Sequence, residues 1–171
     1  MTTTIFTIGY EGAELDEFLD TLTDAGVMHV VDIRDVPASR KRGFSKSALA
    51  SALASHAIDY THLKALGDPK PGREAMRRND YDMFLDIYSA HAEQPAAQAA
   101  LKDAANIAVA QPSVLLCYER DPRQCHRTLV AGMMKELASF TIRHLGVNPR
   151  KARSEMRIVD GAGSGTAYAV G

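Results

Sequence analysis

Two stretches of this chain combine residue types that can bind charge or move protons. The first is Asp32-Ile33-Arg34-Asp35-Val36-Pro37-Ala38-Ser39-Arg40-Lys41-Arg42-Gly43-Phe44-Ser45-Lys46. Arg34 and Arg40 each offer a planar fork that matches carboxylate or phosphate, and a helix starting at Ser45 would add backbone amides at its positive end. Equally, Asp32 and Asp35 could pair with these arginines and only pin the loop. The second stretch runs Cys117-Tyr118-Glu119-Arg120-Asp121-Pro122-Arg123-Gln124-Cys125-His126-Arg127. Cys125 precedes a helical pattern and has Arg123, His126 and Arg127 beside it, so dipole and charge would favour its thiolate. Glu119 and His126 are the acid–base candidates. Neighbouring helix positions point in different directions, so the sequence does not make Cys125 and His126 a dyad. A metal on Cys125, His126, His62 and Glu119 would suit their chemistry, but no compact zinc-type spacing supports it, and neither a metal nor a cofactor is expected.

These stretches need a scaffold. Thr4 to Ile8 is β-prone, and Leu15, Phe18, Leu19 and Leu22 then recur at helical spacing up to Gly26. Val27 to Ile33 contains Val30, Val31 and Ile33 with few turn-formers, a mostly apolar run of the kind buried on both faces of a parallel sheet. A helix follows Ser45 with Leu49, Ala52 and Leu53 on one face, ended by His56 and Ala57, and Ile58 to Leu63 is a third strand. Gly67, Pro69, Pro71 and Gly72 predict a loop without regular structure. Helical patterns resume at Tyr81 with Phe84, Leu85 and Tyr88, and continue after Pro95 to about Ala110. Ser113 to Tyr118 is the clearest strand, with Cys117 an inert thiol inside it. A helix carrying Leu129, Met133, Met134 and Leu137 and a short strand from Thr141 to Leu145 complete the pattern.

Strands alternating with helices predict a single compact α/β domain over residues 1–148, a mainly parallel sheet flanked by helices, with ligands beyond the carboxyl ends of the strands. Residues 149–171 form an extension expected to be a hairpin or a mobile tail.

Composition narrows the functional classes. The chain has 171 residues, 20 Lys and Arg against 21 Asp and Glu, and 46% hydrophobic residues, enough for one core and too balanced for global disorder or a wholly basic coat. No basic residue precedes Arg34, and the cations then concentrate in Arg34 to Lys46, Lys64 to Arg78 and Arg143 to Arg157. Two such windows brought together would make an anion site, whereas the third reads as solvated surface. The start lacks a signal-like pattern and no run is long enough for a membrane span, so a cytoplasmic protein without membrane contact is expected. Two cysteines are too few for a disulfide scaffold, and both are expected as free thiols.

Taken together, Thr7-Ile8-Gly9-Tyr10-Glu11-Gly12, Asp32-Ile33-Arg34, Ser39-Arg40, Gly43-Phe44-Ser45-Lys46 and Cys125-His126-Arg127, with Tyr60, His62, Leu66-Gly67 and the Leu115 to Glu119 strand, resemble the domain of unknown function 488 family. The resemblance runs from about Thr4 to Leu145. It implies a compact cytosolic α/β domain and puts Gly9, Tyr10, Gly12, Arg34, Ser39, Arg40, Lys46, His62, Glu119, Cys125, His126 and Arg127 at a shared cleft. It carries no established activity. The glycines are not a dinucleotide fingerprint, because Gly-Tyr-Glu-Gly lacks the spacing.

The leading expectation is an enzyme acting on an anionic, phosphate-bearing nucleotide or nucleic acid, with Arg34, Arg40, Lys46 and Arg127 binding charge. Arg34, Arg40 and Arg127 are expected to converge at the carboxyl edge of the sheet. One alternative is a thiol or sulfur-transfer enzyme using Cys125, loosely similar to rhodaneses but lacking their compact Cys-x-x-Gly-x-Arg loop. The other is a non-catalytic nucleic-acid-binding module with Tyr10, Phe44 and Tyr60 available for stacking.

Overall fold

The computed structural model describes residues 2–150. Five strands, β1 (Thr3–Gly9), β2 (His29–Asp32), β3 (Asp59–His62), β4 (Ser113–Cys117) and β5 (Phe140–Leu145), form one sheet in the order β3-β2-β4-β1-β5. Every neighbouring pair is parallel, so all five carboxyl ends share one edge. The chain is an α/β protein with a parallel sheet, as its alternating pattern predicts.

The strands sort their side chains by the two-residue period of extended chain. Phe6, Ile8, Val30, Val114 and Leu116 face a layer made by α1 (Leu15–Asp24) and α2 (Lys46–Ala54), where Phe18, Leu22, Leu49 and Leu53 are fully buried. Ile5, Val31 and Leu115 face the opposite layer of α3 (Lys70–Arg77), α4 (Tyr81–Ala92), α5 (Pro95–Ala110) and α6 (Arg127–Leu137). In that second layer Ala100, Ala104 and Ala108 present a small-residue face, which lets α5 lie close on the sheet while longer side chains of α4 and α6 fill its flanks.

The segment predicted as an irregular loop is where the sequence reading fails. Lys70–Arg77 is helical, with Pro69 as N-cap and Pro71 within the first turn. A proline there costs no hydrogen bond, because the first turn's N–H groups have no intrahelical acceptor. This helix places Arg73 and Arg77 over the carboxyl edge of the sheet. The short strand predicted near the end is β5, which extends β1 at the sheet's edge. The expected hairpin or tail of residues 149–171 lies almost entirely outside the described residues. Among those described, no helix is long and apolar enough to cross a membrane.

Candidate functional site

A cavity of about 690 Å³ opens at the carboxyl edge where β1, β2 and β4 end side by side. Its walls come from the loop after β2, the segment 68–77 that leads into and forms α3, and the connection from β4 to α6, with Tyr10 from just past the end of β1. Parallel topology puts both chemistry-rich stretches of the sequence on this edge, although seventy residues, 47–116, separate them along the chain.

The loop after β2 is held by its first arginine. Arg34 Nε and Nη2 donate to Asp32 Oδ1 and Oδ2 at 2.9 and 2.7 Å, and Nη1 donates to the Phe44 carbonyl at 2.7 Å and the Tyr10 hydroxyl at 3.3 Å. Asp32 is fully buried and also accepts the Tyr60 hydroxyl at 2.5 Å. Burial alone would weaken the Arg34 charge, but Asp32 more than offsets it and its pKa rises above the ordinary arginine value. His62 Nε2 donates to the Arg34 carbonyl at 2.7 Å, and Tyr10 stacks on Phe44 at 4.4 Å between ring centres. Arg34 borders the cavity, yet its donors are engaged; it organises the loop.

Ser39 and Ser45 close that loop on each other, the Ser45 hydroxyl donating to the Ser39 carbonyl at 3.2 Å and accepting from the Ser39 amide. The Lys46 amide donates to the Pro37 carbonyl at 2.8 Å, so this amide is not free for an anion. Arg40 differs from Arg34: it is exposed, borders the cavity and has no hydrogen-bond or ion-pair partner among the described residues.

The connection from β4 to α6 is anchored from behind. Arg127 is fully buried and directs its guanidinium to the Thr7 hydroxyl at 3.2 Å, the Arg120 carbonyl at 3.1 Å and the Glu119 carbonyl. Burial lowers its pKa. Gly9 must lack a side chain here, since a Cβ would overlap the Glu119 carbonyl.

The cysteines require a correction. Both are buried, and the structure joins Cys117 to Cys125 as a disulfide rather than leaving two free thiols. The turn at Pro122–Gln124 folds the chain back so that the residue before α6 meets the end of β4, a closure that an eight-residue spacing does not reveal. His126 joins them: its Nδ1 lies 3.7 Å from Cys125 Sγ and 3.9 Å from Cys117 Sγ, while Nε2 donates to the Ile33 carbonyl at 2.8 Å. Burial drives the His126 pKa down to about 4, so the ring is neutral near pH 7.

Two acids face the same space. Glu119 Oε2 lies 2.7 Å from Cys117 Sγ, and desolvation raises its pKa. Asp68 is 7% exposed, and its Oδ1 has no hydrogen-bond partner among the described residues. Desolvation raises Asp68 to about 7; Arg73 opposes this, while Glu119 and Asp35 add to it. Arg73 donates to Asp35 Oδ2 at 2.8 Å and to the Asp68 carbonyl at 2.6 Å, bracing α3 against the loop after β2.

Tyr10, Arg34, Ser39, Arg40, Glu119, Cys125 and His126 of the expected site therefore border one cavity, whereas Gly9, Lys46, His62 and Arg127 do not. Gly12, with φ of 74°, borders a separate shallow groove beside Glu11 and Arg120. Of the three arginines expected to converge, Arg34 and Arg40 reach the cavity and Arg127 lies outside its lining. Sequence reasoning missed Asp68, Arg73 and Arg77. The basic window Lys64 to Arg78 was the available signal, masked by the prolines that suggested a loop.

Set against known families, the sequence model of one described as Domain of unknown function DUF488 matches residues 14–134. The chain belongs to the DUF488 family. The match spans the loop after β2, α3 and the connection from β4 to α6, so the cavity lies within the DUF488 unit apart from Tyr10. No curated protein and no solved structure matches this DUF488 chain.

Proposed function

We propose that this DUF488 chain is an enzyme acting on an anionic, phosphate-bearing substrate of nucleotide or nucleic-acid type at the carboxyl edge of its sheet. The observation carrying the reading is one cavity that brings together cations and a buried carboxyl oxygen without hydrogen-bond partners among the described residues. Arg40 and Arg77 line it without hydrogen-bond or ion-pair partners among the described residues, and the buried Asp68 carboxyl stands with Glu119 in its wall. Its volume of about 690 Å³ suits a nucleotide-sized ligand. Tyr118, 48% exposed and edge-on to Tyr10, supplies an aromatic surface for a ring. Arg40 and Arg77 bind the phosphate, and Asp68 and Glu119 exchange protons with the bound group.

Mononucleotides, inorganic phosphate and a short single-stranded oligonucleotide are titrated against the whole chain at several salt concentrations. A mononucleotide should bind, and Arg40→Ala should weaken it about 10- to 150-fold, as expected for losing a charge-assisted hydrogen bond. Glu119→Gln should keep binding while slowing turnover. Oligonucleotide binding that falls steeply with salt, without turnover or mononucleotide affinity, would favour a non-catalytic module. Absence of binding by all three would refute the anion site. Sulfur transfer by Cys125 has the support of its place in the same cavity, but it first requires reductive opening of the bond to Cys117.

A further inference from the structure

Among the described residues, Cys117, Cys125 and His126 form a tight cluster of soft donor atoms. Both sulfurs and one ring nitrogen lie within 4.8 Å of one another, and all three residues are buried. The three also border the cavity, so a group bound among them would have protein behind it and open space in front.

Which histidine nitrogen faces the sulfurs is decided by its other partner. A backbone carbonyl can only accept, so Nε2, 2.8 Å from the Ile33 oxygen, carries the proton. Nδ1 is then the lone-pair nitrogen, and it is the atom 3.7 and 3.9 Å from the two sulfurs. An imidazole oriented by donating one N–H to a backbone carbonyl while offering the other nitrogen is the arrangement of metal-ligating histidines. The backbone agrees. The two Cα atoms are 7.3 Å apart, wider than the usual 4.4–6.8 Å of bridged cysteines, and separate thiolates can converge on one ion from that distance.

We propose that the reduced chain binds one thiolate-preferring divalent ion of the zinc class through Cys117 Sγ, Cys125 Sγ and His126 Nδ1. Two thiolates and one imidazole form a three-ligand set that leaves the fourth tetrahedral position for water or substrate, and all three residues line the cavity from which either would arrive. Glu119 stands beside it, 2.7 Å from Cys117 Sγ. Disulfide and metal site are alternative states of one cysteine pair. Two thiols of an external reductant give two electrons and two protons to the Cys117–Cys125 bond and become a disulfide themselves. Binding of the ion then displaces the two thiol protons. The site's existence does not rest on the phosphate reading.

The test uses the whole chain, reduced anaerobically with a dithiol that is then removed. Adding Co²⁺ should produce a thiolate-to-cobalt charge-transfer band and tetrahedral visible bands, saturating at one ion per chain. Zn²⁺ should remove these bands and slow alkylation of both cysteines. Cys117→Ser and Cys125→Ser should each weaken Co²⁺ by more than the about 10–100-fold typical of losing an outer-shell partner. His126→Ala should shift the spectrum and weaken the ion while leaving both thiols present. A spectrum of hexa-aquo type in the unmodified chain, with alkylation unchanged by Zn²⁺, would overturn the proposal without recourse to any variant. So would full cobalt binding by Cys117→Ser or Cys125→Ser. Metal content is read without substrate, so failure here is separable from failure of nucleotide binding.

Discussion

Arg34 and Arg40 lie six residues apart in one loop and border the same cavity, yet the structure gives them opposite roles that substitution should separate. Arg34→Ala removes both bonds to Asp32 and those to the Phe44 carbonyl and the Tyr10 hydroxyl. It leaves the Asp32 carboxylate, fully buried, with only the Tyr60 hydroxyl and the amide of residue 34 as hydrogen-bond partners among the described residues. Breaking one side of such a pair costs about 3–5 kcal/mol, much of it the penalty of the stranded charge. Arg40→Ala removes an exposed side chain without partners among the described residues and should change stability by less than about 0.5 kcal/mol. Urea unfolding followed by circular dichroism measures both, and mononucleotide titration on the same samples completes the comparison. Arg34→Ala should unfold at much lower urea, whereas Arg40→Ala should unfold like the parent and lose affinity. Because the penalty lies in the orphaned charge, replacing Asp32 and Arg34 together by Leu and Met should recover part of the loss. An Arg34→Ala chain that unfolds within about 0.5 kcal/mol of the parent would refute the assignment of Arg34 as the loop's anchor.

Asp68 is the basis of a pH prediction. Its pKa rises from 3.8 in the unfolded chain to about 7 in the fold, so its neutral form carries no penalty below about pH 4, and stability falls as pH rises through 7. Asp68→Asn should match the parent near pH 4 and exceed it by about 2–4 kcal/mol at pH 8, measured by urea unfolding at both pH values; equal stability at pH 8 would contradict it. Gly9→Ala drives a methyl group into the Glu119 backbone, and thermal melting should show a loss of about 1–3 kcal/mol or more; an unchanged melting temperature would show that the strand ends separate freely. Arg127→Met leaves the Glu119 and Arg120 carbonyls short of a donor and should cost about 2–4 kcal/mol in urea, while the folded variant keeps its mononucleotide affinity; a selective loss of affinity would make Arg127 a ligand contact.

Local sequence was sufficient wherever one short-range preference dominated. The apolar residues Val30, Val31 and Ile33, the helical repeat of Leu15, Phe18, Leu19 and Leu22, and the strand ending at Cys117 each declare their element through hydrophobic pattern, and the alternation of elements implies the parallel sheet. The carboxyl-edge rule then placed both chemistry-bearing loops at one end before their side chains were known. Three matters depended on contacts between distant segments. Whether Arg34 binds a ligand or an aspartate was decided by Asp32, Tyr10 and Phe44 closing around it; residue type alone fits both outcomes. Lys70–Arg77 is helical although Pro71 and Gly72 disfavour a helix, because one proline falls in the first turn and Ala75 packs fully buried against the sheet-facing core. The meeting of Cys117, Cys125 and His126 required a turn at Pro122–Gln124 and a carbonyl from β2's end, 93 residues away, to orient the imidazole. Periodicity reports which face of an element is buried. It says nothing about which buried or half-buried polar groups find each other, since those pairings depend on strand order and on loops whose closure only the assembled sheet determines.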